Sequence, residues 1–198
     1  MNSEPLTPSL EPVVIPPENK KSAWKSILRE TFQTILMALV LYLVIDAVVA
    51  RVRVENVSMK PTLHAGEFLL VDKISTWTGS FKRGDIVVFH YPPHPEEDYI
   101  KRVIGLSGDE IIIKDGKVTV NGELLEEAYI AASPTYNGTW KVPADNFFVL
   151  GDNRNQSSDS HSWGYVPKNN IVGKALVIYW PLDQLKILNE TPVVKAKN

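Results

Sequence analysis

The stretch EIIIKDGKVTV, residues 110–120, decides the fold class of this chain. Two short apolar runs flank Asp115-Gly116, and Asp-Gly between such runs is a strong signal for a two-residue β-hairpin turn. Asn121-Gly122 follows directly and indicates a second tight turn. This region therefore predicts consecutive antiparallel strands.

Other short apolar or alternating runs, bounded by Gly and polar residues, predict further strands. They are residues 68–71, 86–89, 99–104, 147–150 and 175–180. Beyond residue 50 no stretch has a secure helical pattern. We therefore expect a mostly-β domain over residues 51–182, with a C-terminal tail over 183–198.

Residues 1–22 carry five prolines among polar residues and predict a disordered tail. Residues 23–50 predict a transmembrane anchor, because the apolar run from Phe32 to Ala50 holds about 19 residues. A helix needs roughly 20 to cross the hydrocarbon core. Two alternatives remain open, a cleaved signal peptide ending at Ala50 and a buried core helix.

Basic residues before the apolar run place the N-terminus in the cytoplasm by the positive-inside tendency. They are Lys20, Lys21, Lys25 and Arg29, while Arg51 and Arg53 on the far side oppose this orientation. The β domain is then expected outside the cytoplasm, on a chain that crosses the plasma membrane once.

Composition excludes several function classes. The net charge is −2 and no basic stripe is interleaved with aromatics, which argues against a nucleic-acid partner. The absence of cysteine excludes disulfides and thiolate metal sites. His90 and His94 have helical ligand spacing, but Pro92-Pro93 between them excludes a helix, so we expect no metal and no cofactor. His64 is also available, and His161, in a polar loop, stays open as a catalytic base.

Ser58 and Lys101 lie 43 positions apart, downstream of the apolar segment. A serine hydroxyl is a weak nucleophile unless a base takes its proton, and lysine can do so when its pKa is lowered. Alternation along residues 99–104 puts either Lys101 or Arg102 on a face with apolar side chains. On this pattern, a catalytic Ser–Lys pair and a lysine that snorkels at a strand edge both remain open.

The stretch GDNRNQSSDSHSWG, residues 151–164, is dense in hydrogen-bonding groups and predicts an ordered functional loop. Four segments, one of them in this loop, resemble in sequence order the motifs of bacterial type I signal peptidases. They are SMKPTL (58–63), GDIVVF (84–89), KRVIGLSGD (101–109) and GDNRNQSSDS (151–160). With the anchor, the resemblance covers about residues 30 to 180.

The resemblance implies a membrane-bound serine endopeptidase with an all-β catalytic core of the signal-peptidase type. It implies that the partners are the lipid bilayer and preproteins, whose N-terminal signal peptides are removed. Ser58 would be the acylating nucleophile and Lys101 the general base. Ser157 would hydrogen-bond the lysine amine, and Asp159 would brace the loop with Arg154.

The same resemblance assigns the Ser58 N–H as one oxyanion donor. Asn56 stands where many relatives carry a serine that supplies the other, and its side-chain amide could donate instead. His161 stands where many relatives carry an arginine beside the bracing aspartate. Shallow apolar pockets would select small residues at −1 and −3, and the matching positions are Val52, Val54, Met59, Leu63, Tyr99 and Ile100.

Two other functions compete with this interpretation. A self-cleaving Ser–Lys peptidase of the repressor type shares the pair but needs a DNA-binding module upstream, where this chain has an apolar segment. A non-enzymatic anchored β-domain that binds a partner would not need Ser58, Lys101, Ser157 and Asp159 together.

Overall fold

The computed structural model describes residues 20–188 and 193–195, and the side chains of residues 24–188. The chain divides into two compact units, residues 1–43 and 44–198. Most of the tail expected over residues 1–22 lies outside the described residues.

Helix α1 (Lys20–Val48) contains the apolar run. Its part Trp24–Val48, 25 residues, is long and apolar enough to cross a membrane, with a length of about 37 Å at 1.5 Å per residue. The helix ends two residues before the expected limit of the anchor, because Val49 and Ala50 pair with a neighbouring strand.

The residues after α1 are mostly β, as the sequence predicts. Within the described residues one sheet holds eight strands. They are β1 (Val49–Arg53), β2 (Phe68–Asp72), β3 (Ile86–Tyr91), β4 (His94–Gly105), β9 (Asn146–Leu150), β10 (Val166–Pro167), β11 (Ile171–Trp180) and β12 (Lys186–Ile187). Their order is β1-β2-β11-β3-β4-β9-β10, with β12 beside β11, and all pairs are antiparallel.

A second sheet contains the hairpin that residues 110–120 predict. Its strands are β5 (Glu110–Lys114), β6 (Lys117–Val120), β7 (Glu123–Glu126), β8 (Gly138–Lys141) and β13 (Val193–Lys195). Both predicted turns are formed: Asp115 and Gly116 have φ of 50° and 74°, and Asn121 and Gly122 have 52° and 82°. Positive φ at both central residues is what a type I′ turn requires.

Two central strands are buried on both faces, which explains their continuous apolar sequence. In β3, Ile86 and Val88 pack in one core cluster, with Leu69 and Ile178, while the alternate residues of the strand pack in a second cluster. In β9, Phe147 belongs to that second cluster and Phe148 to a third, shared with the second sheet. The polar loop over residues 151–164 follows directly after β9.

Several elements were not predicted from the sequence. Helices α2 (Ile74–Thr78) and α3 (Ser160–Trp163) are too short to produce a helical pattern. Single 3-10 turns occupy Arg154–Gln156, Lys168–Asn170 and Leu182–Gln184. The expected tail over 183–198 contributes β12 and β13, which pair with β11 and β7.

Replacing Phe148 by alanine tests the junction between β9 and the second sheet. Phe148 is fully buried against Ile111 and Leu150, so Phe148→Ala should lower the free energy of unfolding by about 3–5 kcal/mol. Urea unfolding of the full chain in detergent measures this change. Leu182→Ala, at a position 69% exposed, should stay within about 0.5 kcal/mol; equal losses in both variants would contradict this packing.

Candidate active site

Two free strand edges face each other across a cleft. Within the described residues, β1 is the end strand of its sheet. The first half of β4 pairs with β3 on one side only, because β9 begins to pair with β4 at Arg102. Residues from both edges line a cleft of about 700 Å³, where an extended peptide could pair with free backbone groups.

Ser58 and Lys101 meet in this cleft. Lys101 Nζ lies 2.9 Å from Ser58 Oγ and donates to the carbonyl oxygen of Ile100 at 3.0 Å. Ser58 lies in the turn that follows β1, and Lys101 lies on β4 opposite Val87. Lys101 is 4% exposed, so its amine does not snorkel into solvent.

Burial changes the acid–base behaviour of Lys101. Loss of hydration disfavours the ammonium and lowers the pKa of Lys101 from 10.5 to about 8, although the carboxylates of Asp159 and Asp152 act in the opposite direction. At mildly alkaline pH a large fraction of the amine is therefore neutral. A neutral amine beside a hydroxyl can accept its proton.

The polar loop over residues 151–164 holds the backbone of the serine turn. Asn153 N donates to Ser58 O at 3.0 Å, and Asn153 Nδ2 donates to Val57 O at 3.2 Å. Position 151 requires glycine because the loop backbone lies close to the serine turn: a Cβ there would lie 2.5 Å from Ser58 O. The loop is ordered, as its composition predicts, and it fixes the serine.

The hydrogen bond expected between Ser157 and Lys101 is not made. Ser157 Oγ is buried and has no hydrogen-bond partner among the described residues. The hydroxyl lies against Gly151, where a Cβ would come within 2.3 Å of it. The Lys101 amine instead uses Ser58 and the Ile100 carbonyl.

Asp159 braces the loop, but it does not pair with Arg154, the partner that the resemblance implies. Asp159 Oδ2 accepts from Gly151 N at 3.0 Å, and its Oδ1 lies 2.6 Å from His161 Nδ1. Arg154 forms a two-pronged ion pair with Glu127 and donates to Gly151 O at 3.2 Å. The nearby carboxylate of Glu127 therefore satisfies the buried guanidinium, and His161 takes the place beside Asp159.

A second buried ion pair links β4 to the loop, and sequence reasoning missed it. Arg102 donates to Asp152 at 2.8 and 2.6 Å and to Gly84 O at 2.9 Å. Thr62, in the turn after Ser58, donates to the same aspartate. The strand alternation already indicated that Arg102 or Lys101 is buried, and the structure buries both.

The two expected oxyanion donors both lie at the cleft. Among the described residues, the Ser58 N–H makes no hydrogen bond within the protein, and neither does the exposed Asn56 side chain. Asn56 lines the cleft beside Ser58. Both donors are therefore available to a bound group.

Most of the expected substrate-binding side chains line the cleft. They are Val52, Val54, Met59, Tyr99 and Ile100. Leu63 does not: it is fully buried beside Leu69 in a core cluster. Val54 and Met59 belong to the same cluster but also reach the cleft. Gln156 and Ser158 of the polar loop also line the cleft and were not predicted.

The other three histidines each lie beside a carboxylate. His90 Nδ1 is 2.8 Å from Asp98, His94 is 3.4 Å from Glu96, and His64 is 3.4 Å from Glu67. Within the described part of the chain, no group of three or more histidine or carboxylate side chains could hold a metal ion.

The chain is similar to known proteins over most of its length. The family model described as signal peptidase, peptidase S26, matches residues 28–180. A signal peptidase I from Leptolyngbya laminosa is 45% identical over 197 residues, 95% of each chain. A probable signal peptidase I-2 from Synechocystis sp. is 42% identical, over 88% of this chain and 80% of that protein. The crystal structure of a signal peptidase I from Enterococcus faecalis V583 is 31% identical, covers 48% of this chain and 96% of that chain, and has a TM-score of 0.45.

Replacing Glu127 tests the buried pair that supports the loop. Glu127→Ala leaves the guanidinium of Arg154 buried without a carboxylate, which should lower the free energy of unfolding by about 3–5 kcal/mol. Urea unfolding compares it with Glu110→Ala, at an exposed position on β5, which should cost no more than about 0.5 kcal/mol. A Glu127→Ala variant as stable as this control would show that the pair does not hold the loop.

Proposed function

Because the chain belongs to the signal peptidase family, peptidase S26, we propose that it is a membrane-anchored serine endopeptidase that removes N-terminal signal peptides from exported preproteins. The observation that carries the proposal is the 2.9 Å approach of Lys101 Nζ to Ser58 Oγ, in a cleft between two free strand edges. These groups suffice for acyl transfer from a peptide bond to a serine.

In the first step, Ser58 Oγ attacks the scissile carbonyl carbon while Lys101 accepts the hydroxyl proton. The tetrahedral intermediate carries a negative oxygen, which the Ser58 N–H and the Asn56 amide would stabilise by hydrogen bonds. The Lys101 ammonium then donates its proton to the leaving amine. The products of this step are the free N-terminus of the mature protein and an ester on Ser58.

In the second step, water hydrolyses the ester. Lys101, now neutral again, accepts a proton from the attacking water and returns it to Ser58 Oγ as the serine leaves. The ion pair of Arg102 with Asp152 holds β4 against the loop that fixes the serine. Positioning of this kind keeps the reacting atoms in contact through both steps.

Substrate selection follows from strand addition. A signal peptide in extended conformation would pair with β1 and with the first half of β4, and its alternate side chains would face the cleft floor. Val52, Val54, Met59, Tyr99 and Ile100 line the cleft and would form shallow apolar pockets for these side chains. Small side chains at −1 and −3 fit such pockets, and larger ones clash.

We place the active site on the outer side of the plasma membrane. Helix α1 would cross the bilayer once, with the basic residues before Ile35 on the cytoplasmic side. Four basic residues precede the apolar run against two that follow it closely. The tail over residues 1–22 would then be cytoplasmic.

Substitution of the pair tests the proposed chemistry. Ser58→Ala removes the nucleophile and Lys101→Arg keeps a positive charge that cannot accept a proton. Each should lower kcat/KM for cleavage of a model preprotein in detergent by at least about 10³-fold. Lys117→Arg, at an exposed position on β6, is the matched control and should cleave as the wild type does. Wild-type activity in either active-site variant would refute the mechanism.

The pH dependence tests the lysine base. Because only neutral Lys101 accepts a proton, kcat/KM should rise with pH through a limb centred near pH 8, the pKa of the buried amine. The Asp159 carboxylate raises this pKa, so Asp159→Asn should move the limb to lower pH. Initial rates between pH 6 and pH 10 measure both profiles.

Asp115→Asn provides the control for this shift, because Asp115 is an exposed turn residue of the second sheet. Its profile should coincide with that of the wild type. A flat wild-type profile would argue against a lysine base, and a limb unmoved by Asp159→Asn would argue against coupling between the carboxylate and the amine.

A further inference from the structure

Strand β1 has one apolar face and one basic face, and both reach the cleft. Val52 packs against the core cluster that contains Val54. The alternate residues Arg51 and Arg53 stand opposite Leu70 and Phe68 of β2 and are exposed. The guanidinium of Arg53 lies 5.8 Å from the centre of the Phe68 ring. Both arginines line the cleft.

A bound peptide strand has the same two-residue period as β1. Side chains of paired strands at matching positions point to the same face. If the residues at −1 and −3 face the floor beside Val52 and Val54, those at −2 and −4 face the side of Arg51 and Arg53. This step rests on the proposed function, which supplies the −1 and −3 contacts.

The face that positions −2 and −4 meet is basic. Within residues 24–188, neither Arg51 nor Arg53 forms an ion pair. Glu55, exposed two residues further along, is the single carboxylate that alternates in phase with them and lines the cleft. This face of the cleft thus carries two arginine side chains and one glutamate side chain.

Of the carboxylates on the opposite wall, Asp98 lies on the other face. It alternates in phase with Ile100, which packs against the same core cluster as Val52, while Glu96 lies where the pairing of β4 with β3 is irregular. Each also lies near a histidine: His90 is 2.8 Å from Asp98 and His94 is 3.4 Å from Glu96. Both carboxylates stand on β4, across the bound peptide from β1, so the arginines are the charges on the strand with which positions −2 and −4 would pair.

We propose that Arg51 and Arg53 are specificity-determining residues that favour acidic over basic side chains at positions −2 and −4 of the substrate. The charges attract or repel across a solvent-filled cleft, where the interaction of one pair is weak. The preference for aspartate over lysine should therefore be about threefold to tenfold in kcat/KM. It should shrink as salt screens the charges.

The test uses the full chain in non-ionic detergent and three peptides with one common cleavage site. The peptides carry Asp, Lys or Gln at both −2 and −4. The measured quantity is the ratio of kcat/KM for the Asp peptide to that for the Lys peptide, at low and at high salt. An additional pair of control peptides carries the same charges at the far C-terminus and should give a ratio near one.

The variants are Arg51→Glu, Arg53→Glu and their combination, with Lys117→Glu on β6 as a control of equal charge change. The ratio should fall to one or below in the arginine variants and stay at the wild-type value in the control. Arg51→Gln and Arg53→Gln, which should lose the preference without reversing it, keep the test decisive if a glutamate variant does not fold. An unchanged ratio in all arginine variants overturns the inference.

The Gln peptide separates this inference from the function on which it rests. Cleavage of the Gln peptide by the wild type, with equal rates for the Asp and Lys peptides, would overturn the charge preference and leave the peptidase intact. Failure of the wild type to cleave the Gln peptide would overturn the proposed function, and the charge preference with it.

Discussion

The candidate active site depends on burial of one amine. Lys101 is 4% exposed, so its ammonium loses most of its hydration, and that loss is costly unless a full ion pair replaces the water. The two nearby carboxylates do not supply one, because Asp152 is bonded to Arg102 and Asp159 to Gly151 and His161. The pKa of the amine is thereby lowered to about 8 beside a hydroxyl, which is the condition that a lysine base requires.

The buried ion pairs around the site join segments that are distant in the sequence. The ion pair of Arg102 with Asp152 joins β4 to the polar loop. Thr62, in the turn that contains Ser58, donates to the same aspartate and so joins this turn to the pair. Arg154 with Glu127 ties the same loop to the segment after β7. Replacing such pairs by apolar residues can leave stability unchanged, so their value here lies in fixing where the serine and the lysine meet.

The sequence predicts the features that depend on local chemistry. Asp115-Gly116 and Asn121-Gly122 predict their turns because few residues accept positive φ. Partners distant in sequence leave no local signal: the resemblance implies that Asp159 pairs with Arg154, whereas the structure pairs Arg154 with Glu127. The resemblance also implies a pocket position for Leu63, and the apolar pattern alone does not separate a cleft from a core. Ser58 and Lys101 were recognised through four motifs in order, since either residue alone is unremarkable.

The cleft, the serine turn and the buried amine together give one account, in which burial lowers the pKa of Lys101 so that a large fraction of the amine is neutral at mildly alkaline pH. Titration of the Lys101 side chain by NMR, with ¹³C-labelled lysine and Lys101→Arg to assign the resonance, measures this directly. The account predicts an apparent pKa of about 8 for Lys101. A pKa near the ordinary lysine value of 10.5 would contradict it.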